Sequence, residues 1–345
     1  MLMNNTHPTK MRSGLHISYS RPLPQRAEHI APPVTAEPLT ALERRIGRWH
    51  LERRLALEAE CEGRASRFSA RISQIRSWHA IPSVIRACFR LTGLHARAQR
   101  NARALQVREN EVILEGLPRS LDGYTILHIS DPHLDSSPDI GEVLVERVQA
   151  LDYDLCVLTG DYRMLTFGGC APVLAAMARV RAALKAPVYA VLGNHDSIHM
   201  VPGFEALGIR VLLNESVVLE RQGAALYLAG IDDAHHYRLH DLEKARRSIP
   251  PAAPAILLSH TPEAYRYAAR AGFKLMLSGH THGGQICLPG GYPLITDAAC
   301  PRRYAKGPWR YRDLVGYTSV GSGSSIVDLR LNCPPEVTLH RLRVG

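Results

Sequence analysis

The sequence predicts an α/β fold: two packed, mixed β-sheets flanked by helices, preceded by a basic helical N-terminal extension. Three observations predict it. From Ala104 onward, short apolar runs alternate with segments of helical period, the rhythm of β-α-β units. The late part of the chain is richer in strands, and that mixture favours two packed sheets with helices outside. Charge is also unevenly placed. Residues 1–100 hold 17 Lys/Arg and 7 Asp/Glu, whereas residues 101–345 hold 25 of each, so the net charge of +10 belongs to the extension.

Taken in order, residues 1–38 carry Pro8, Pro22, Pro24, Pro32, Pro33 and Pro38 with little apolar period, and disorder is expected there. Residues 40–62 read as a helix with Leu42, Ile46 and Trp49 at helical spacing. Residues 67–100 read as further helix, with Pro82 in a first turn after a break. There Ile81, Val84, Ile85, Cys88 and Phe89 make one apolar stripe, with Arg86, Arg90, Arg97 and Arg100 outside it. Such a stripe packs against protein, or rests on an anionic membrane surface. Next come the strands 105–108, 111–114 and 124–130, a helix near 141–150, strand 154–159, helix 171–184 and strand 188–192. Strands 210–213 and 225–229 and a helix near 241–247 follow. Strand 255–258, helix 262–271, strand 274–278 and strands 316–320 and 336–342 complete the chain.

Five polar clusters each end a short apolar run: Asp131-Pro132-His133, Gly160-Asp161, Gly193-Asn194-His195-Asp196, Ser259-His260 and Gly279-His280-Thr281-His282. In α/β folds, ligands bind at strand C-terminal ends. Together these clusters supply more oxygen and imidazole donors than one ion needs, which points to a metal centre of more than one ion. The mixed N/O set without thiolate suits Mn, Fe or Zn and disfavours a structural zinc site. In Asp131-x-His133 and His280-x-His282, alternate residues of an extended segment would face the same way.

The order of these clusters resembles that of the calcineurin-like metallophosphoesterases, from about Leu105 to the C-terminus. Gly283-Gly284-Gln285 and the run Leu331-Asn332-Cys333-Pro334-Pro335-Glu336-Val337 look like the bacterial phosphohydrolase and phosphodiesterase branch. The resemblance implies two metal ions. The first would take Asp131, His133, Asp161 and His282; the second Asp161, Asn194, His260 and His280, with Asp161 bridging. It implies hydrolysis of a phosphodiester or pyrophosphate bond by direct attack of metal-bound hydroxide, on a lipid-linked or nucleotide-linked substrate. His195 would be the general acid and Asp196 would orient it. Gly283-Gly284 would let the backbone approach the metals. Two rival readings stand beside this one: a nucleic-acid or cyclic-nucleotide phosphodiesterase, and a non-catalytic scaffold of the same fold.

The domain reading is a disordered 1–38, a basic helical extension over 39–103 and a catalytic domain over 104–345. Arg163, just past Asp161, is placed to contact a phosphate. Asp232-Asp233 and His235-His236 read either as turn chemistry or as a loop near the substrate. His29, His50, His79 and His95 read as solvated residues of the extension. The seven cysteines include no CxxC pair and read as reduced thiols. No 18-residue apolar run predicts a transmembrane segment, and Asn4, Asn5, His7, Lys10 and Arg12 interrupt any signal-peptide core. The expected location is cytoplasmic, peripheral to the inner membrane face, with contact to anionic membrane through residues 81–100. A nucleic-acid partner is also compatible with the basic extension.

Overall fold

Buried strands with two apolar faces build the molecule. The computed structural model describes residues 36–72, 77–166 and 168–345, with side chains for these except 36–38, 64–72 and 77–80. The expectation for 1–38 lies, up to residue 35, outside the described residues, as do His29 and the side chain of His79.

The helices are α1 (Ala36–Ile46), α2 (Arg48–Ile72), α3 (Ser77–Leu91), α4 (His95–Arg103), α5 (Ile140–Val148), α6 (Ala171–Ala183), α7 (Val201–Ala206), α8 (Leu242–Arg246) and α9 (Tyr265–Arg270). The strands are β1 (Gln106–Leu114), β2 (Thr125–Ile129), β3 (Leu155–Leu158), β4 (Val188–Ala190), β5 (Ile209–Val211), β6 (Glu215–Arg221) and β7 (Ala224–Gly230). They continue with β8 (Ala255–Leu258), β9 (Leu275–Ser278), β10 (Cys287–Leu288), β11 (Tyr292–Pro293), β12 (Gly307–Tyr311), β13 (Leu314–Thr318) and β14 (Glu336–Val344). One sheet runs β1-β14-β2-β3-β4-β5 and the other β12-β13-β9-β8-β7-β6, with β10-β11 a separate hairpin. Both sheets are mixed, as expected: β2, β3, β4 and β5 are parallel, while β14 is antiparallel to β2.

Alternation along the strands sorts side chains into layers. Ile126, Leu155 and Val157 of the first sheet meet Ile256, Leu258, Leu275 and Leu277 of the second between the sheets. Their neighbours Leu127, Cys156 and Leu158 face α5, α6 and α7 instead. Met276 and Leu257 face the other way, toward α8 and α9. Each fully buried Leu or Ile contributes roughly 1.5–3 kcal/mol. The sandwich therefore fixes five strand ends, β2, β3, β4, β8 and β9, on one side of the molecule.

Several elements differ from the sequence reading. The runs at 105–108 and 111–114 are one strand, in register with β14 from Gln106↔Glu336 to Leu114↔Val344. Besides the two-residue strands β10 and β11, the sequence reading missed β6 and β12. Both are sheet edges and half-exposed, so their alternation is weak, and Pro308 sits in β12 where an edge tolerates it. Pro82 lies inside α3 rather than in its first turn. Trp49 is 73% exposed and off the buried stripe of the extension. The buried row is Leu42, Ile46, His50, Arg54 and Glu58, at intervals of four. His50 is thus a core residue and not a solvated one. The apolar stripe of α3 splits. Phe89 packs with Ala98, Val327 and Leu329, and Ile85 packs beside them, whereas Ile81, Val84 and Cys88 face outward.

Candidate metal centre

Every predicted cluster leaves its strand by a tight turn. Asp131 and His133 follow β2, Asp161 follows β3, Asn194 and His195 follow β4, His260 follows β8, and His280 and His282 follow β9. The segments are not extended. Asp131, His133, Asp161, His280 and His282 all have positive φ, from 41° to 70°. Left-handed backbone costs non-glycine residues about 1–3 kcal/mol each and persists where the surroundings over-determine it. The paired side chains therefore converge because the backbone curls around them, not because extended residues alternate. Two glycines admit the crowding. A Cβ on Gly160 would lie 2.6 Å from Gly193 N and 2.7 Å from His260 Nδ1, and one on Gly193 would collide with the Asp161 carboxylate.

Two donor groups result. Asp131, His133 and His282 form one, and Asp161, His260 and His280 the other; the donor atoms within each lie inside 4.8 Å of one another. Nε2 of His133 is 3.1 Å from Nε2 of His282, which is 3.7 Å from Asp131 Oδ1. Nε2 of His260 is 2.9 Å from Asn194 Oδ1 and 3.2 Å from His280 Nδ1. Asp161 Oδ2 stands between the groups, 3.3 Å from His260 Nε2 and 4.0 Å from His133 Nε2.

Backbone carbonyls set the imidazole tautomers. His133 Nδ1 donates to Arg163 O at 2.8 Å and His260 Nδ1 to Thr159 O at 2.7 Å. Each ring then turns Nε2 to the cluster, the arrangement that metal-ligating histidines use. His260 Nε2, Asn194 Oδ1 and Asp161 Oδ2 crowd together there, and a cation would satisfy all three. Burial alone would depress His260, but the Asp161 carboxylate outweighs it and holds the ring up to about 10. Burial opposes ionisation of Asp161 too, yet His260, His195 and His133 keep its carboxyl well below the usual range. Burial pushes His133 down to about 4 and His280 and His282 well below their ordinary value, so these rings are neutral donors. The residues fit a metal centre.

Around this cluster, three expectations need correction. Asp196 does not touch the His195 ring. Its Oδ2 accepts from Asp161 N and Gly193 N and its Oδ1 from Tyr162 N, which pins the β3 and β4 exits together. The His195 ring packs edge-on to His133 with centroids 5.5 Å apart, its Nε2 is 4.0 Å from Asp161 Oδ2, and its side chain is 25% exposed. Arg163 spends its donors on His195 O, Gly168 O and Thr166 O, so it shapes the loop instead of facing substrate. Gly283 and Gly284 avoid Val320 and Pro293 respectively, not the donor atoms.

A family model described as calcineurin-like phosphoesterase matches residues 124–284. The chain is 30% identical over 257 residues to YkoQ of Bacillus subtilis (strain 168), an uncharacterized metallophosphoesterase, across 71% of this chain and 93% of that one. The chain belongs to the calcineurin-like phosphoesterase family. It is 32% identical over 207 residues to Phosphodiesterase YaeI of Escherichia coli (strain K12), covering 55% of this chain and 70% of that one. It is also 32% identical over 252 residues to a Bos taurus "Transmembrane protein with metallophosphoesterase domain", and spans about half of that protein, 55%. This calcineurin-like phosphoesterase is a hydrolase acting on phosphoester bonds. Among its described residues, no helix is long and apolar enough to cross a membrane.

Sequence reading missed what lies behind the site of this phosphoesterase. Arg54 of α2 is fully buried. Its Nη1 donates to Asp232 Oδ1 at 2.5 Å, its Nε to Glu58 Oε1 at 2.7 Å and its Nη2 to Asp196 O at 2.8 Å. Glu58 in turn accepts from Ile198 N and Ser197 Oγ, and Asp232 from His50 Nε2. The extension therefore grips the loops after β4 and β7. A third group, His235, His280 and Asp297, was also missed, although the His235-His236 pair pointed to its loop. His235 donates from Nδ1 to Glu263 at 2.9 Å, and that hydrogen bond raises its pKa.

Proposed function

We propose that this chain hydrolyses a phosphodiester or pyrophosphate bond at a centre of two divalent or trivalent ions. The observation that carries the reading is Asp161 Oδ2, which faces both donor groups at 3.3 Å and 4.0 Å. Asp131, His133 and His282 would hold one ion with Asp161, and Asn194, His260 and His280 the other. Their nitrogen and oxygen donors suit Mn, Fe or Zn. When bound, such a pair supplies a positive clamp for phosphoryl oxygens and water acidic enough to attack at neutral pH.

The protein's own groups do the rest. Asn194 contributes a neutral oxygen, which limits the negative charge presented to an anionic substrate. His195, half-buried beside Asp161, protonates the leaving-group oxygen. Its main-chain N–H donates to Asp161 Oδ1 at 3.0 Å, so the acid's loop after β4 is tied to the bridging carboxylate on the loop after β3. Asp196 acts as a positioning residue by clasping that loop. Residues 81–100 support peripheral contact with anionic membrane, because Ile81, Val84 and Leu91 are exposed among Arg86, Arg90 and Arg97.

Reconstitution tests the reading. The purified chain, stripped by chelator, should regain hydrolysis of bis(p-nitrophenyl) phosphate as manganese, iron or zinc is returned, with activity saturating at two equivalents. Full activity in the stripped protein, or saturation at one equivalent, would overturn it.

A further inference from the structure

The cavity over the metal centre has two unlike walls. It encloses about 320 Å³, and Asp161, Asn194, His195, His280 and His282 line its polar side. The other side is mainly aliphatic, with Ile85, Ile286, Leu294, Ile295, Ile326 and Val327, and Asp297 and Ser325 stand among them. The six aliphatic residues come from three separate pieces of chain, namely α3, the segment through the β10-β11 hairpin, and the loop before β14. Leu294 is 51% exposed, Ile295 78% and Ile326 60%. One exposed aliphatic residue is ordinary on a protein surface, but three converging on the mouth of a buried polar site form a patch that asks for an occupant.

We propose that this wall is a hydrocarbon subsite, which takes the alkyl or acyl chain of an amphiphilic phosphoester whose phosphate lies at Asp161, Asn194 and His280. The inference rests on the phosphoesterase reading above. Continuity carries it: the aliphatic wall and the metal-ligand donors line one cavity, so a single molecule with a charged head and an apolar tail meets both.

The wall is built in advance. Gln285 donates from Nε2 to Ser325 O and Val327 O, both at 2.9 Å, and accepts from Ser325 N at 2.8 Å, which ties the hairpin segment to the 325–327 loop. Phe89 and Ile85 pack on Val327 and Leu329, which fixes α3 against the same loop. An ordered apolar surface binds a tail without first losing its own freedom. The lining also disfavours a nucleobase. None of the described lining residues is Phe, Tyr or Trp, so the imidazoles offer the sole rings, and the Gln285 amide is already taken.

Calorimetry with alkylphosphonates tests the subsite on the full-length chain. Methylphosphonate reports the head-group site and octylphosphonate adds seven methylenes. With manganese bound, affinity should rise by up to about fourfold for each methylene withdrawn from water, so octylphosphonate should bind at least about 30-fold more tightly than methylphosphonate. The double variant I295D/I326D, changed at two exposed positions, should bring that ratio to within about threefold of unity, the charges denying the tail its dry wall. A wild-type ratio near one, or a ratio the double variant leaves intact, would overturn the subsite while methylphosphonate binding kept its manganese dependence. If methylphosphonate bound equally well without manganese, the metal-centre reading would fall, and the placement of the head group with it.

Discussion

His260 directs Nε2 at the Asp161 carboxylate, 3.3 Å away, while its Nδ1 is tied to the main-chain oxygen of Thr159. The ring cannot turn away without losing that bond, and the carboxylate is held in place by the main-chain N–H of His195. Both donors are therefore positioned by the protein's own hydrogen bonds, and the strain of five left-handed residues is carried by the folded sandwich.

His195→Ala separates chemistry from binding. Its side chain lies beside the donor groups but outside both. Metal content should stay at the wild-type level while turnover falls by roughly 10²–10⁴-fold, the scale of general-acid loss. The deficit should shrink for p-nitrophenyl esters, whose leaving group needs no proton. Equal deficits for p-nitrophenyl and alkyl esters would count against the role.

Arg54→Met tests the hold of the extension on the site. It strands Asp232 and Glu58, both buried, without their counter-charge. Urea unfolding should show a loss of about 3–5 kcal/mol, and R54M/D232N should recover part of it. A loss below about 1 kcal/mol would place the pair among ordinary surface contacts.

Acid stability follows from a second buried pair. Burial holds His128 down to about 3 and His340 well below its ordinary value, with His128 Nδ1 3.3 Å from His340 Nε2. The unfolded chain takes up these protons near pH 6.5, and the native state refuses them. Their contribution is intact above that pH and is lost as pH falls toward about 3, by up to about 1.4 kcal/mol per pH unit for each ring. H340Q should therefore flatten the acid limb of a stability–pH curve by about one proton. An unchanged slope would show that other groups set it.

The outward side of α3 predicts salt-dependent vesicle binding. Intact protein should co-sediment with phosphatidylserine vesicles at low ionic strength and release as salt rises. V84D/L91D should abolish it, since both positions are exposed. No binding at low salt would leave the stripe as packing alone.

The sandwich and its ligand clusters were legible because each cluster ends a buried apolar run, and the ends of the parallel strands of both sheets gather on one side of the molecule. The order of the five clusters then named their chemistry. What stayed hidden was long-range or polar. Nothing local says that Arg54 meets Asp232, 178 residues away, and hydropathy hid His50, Arg54 and Glu58 behind the apolar pair Leu42 and Ile46. The expected pairing of Asp196 with His195 failed because backbone N–H groups competed for the carboxylate and won. The edge strands β6 and β12 were missed because half-exposed positions do not alternate cleanly.

Metal analysis of Asp161→Asn, purified beside the wild-type chain, bears most directly on the dinuclear centre. A neutral amide bridges two cations poorly, so D161N should retain less than one equivalent where the wild type holds two. Its turnover should fall beyond about a hundredfold, the upper scale for groups that merely orient ligands. Two full equivalents with wild-type turnover in D161N would contradict the bridge and, with it, the dinuclear centre.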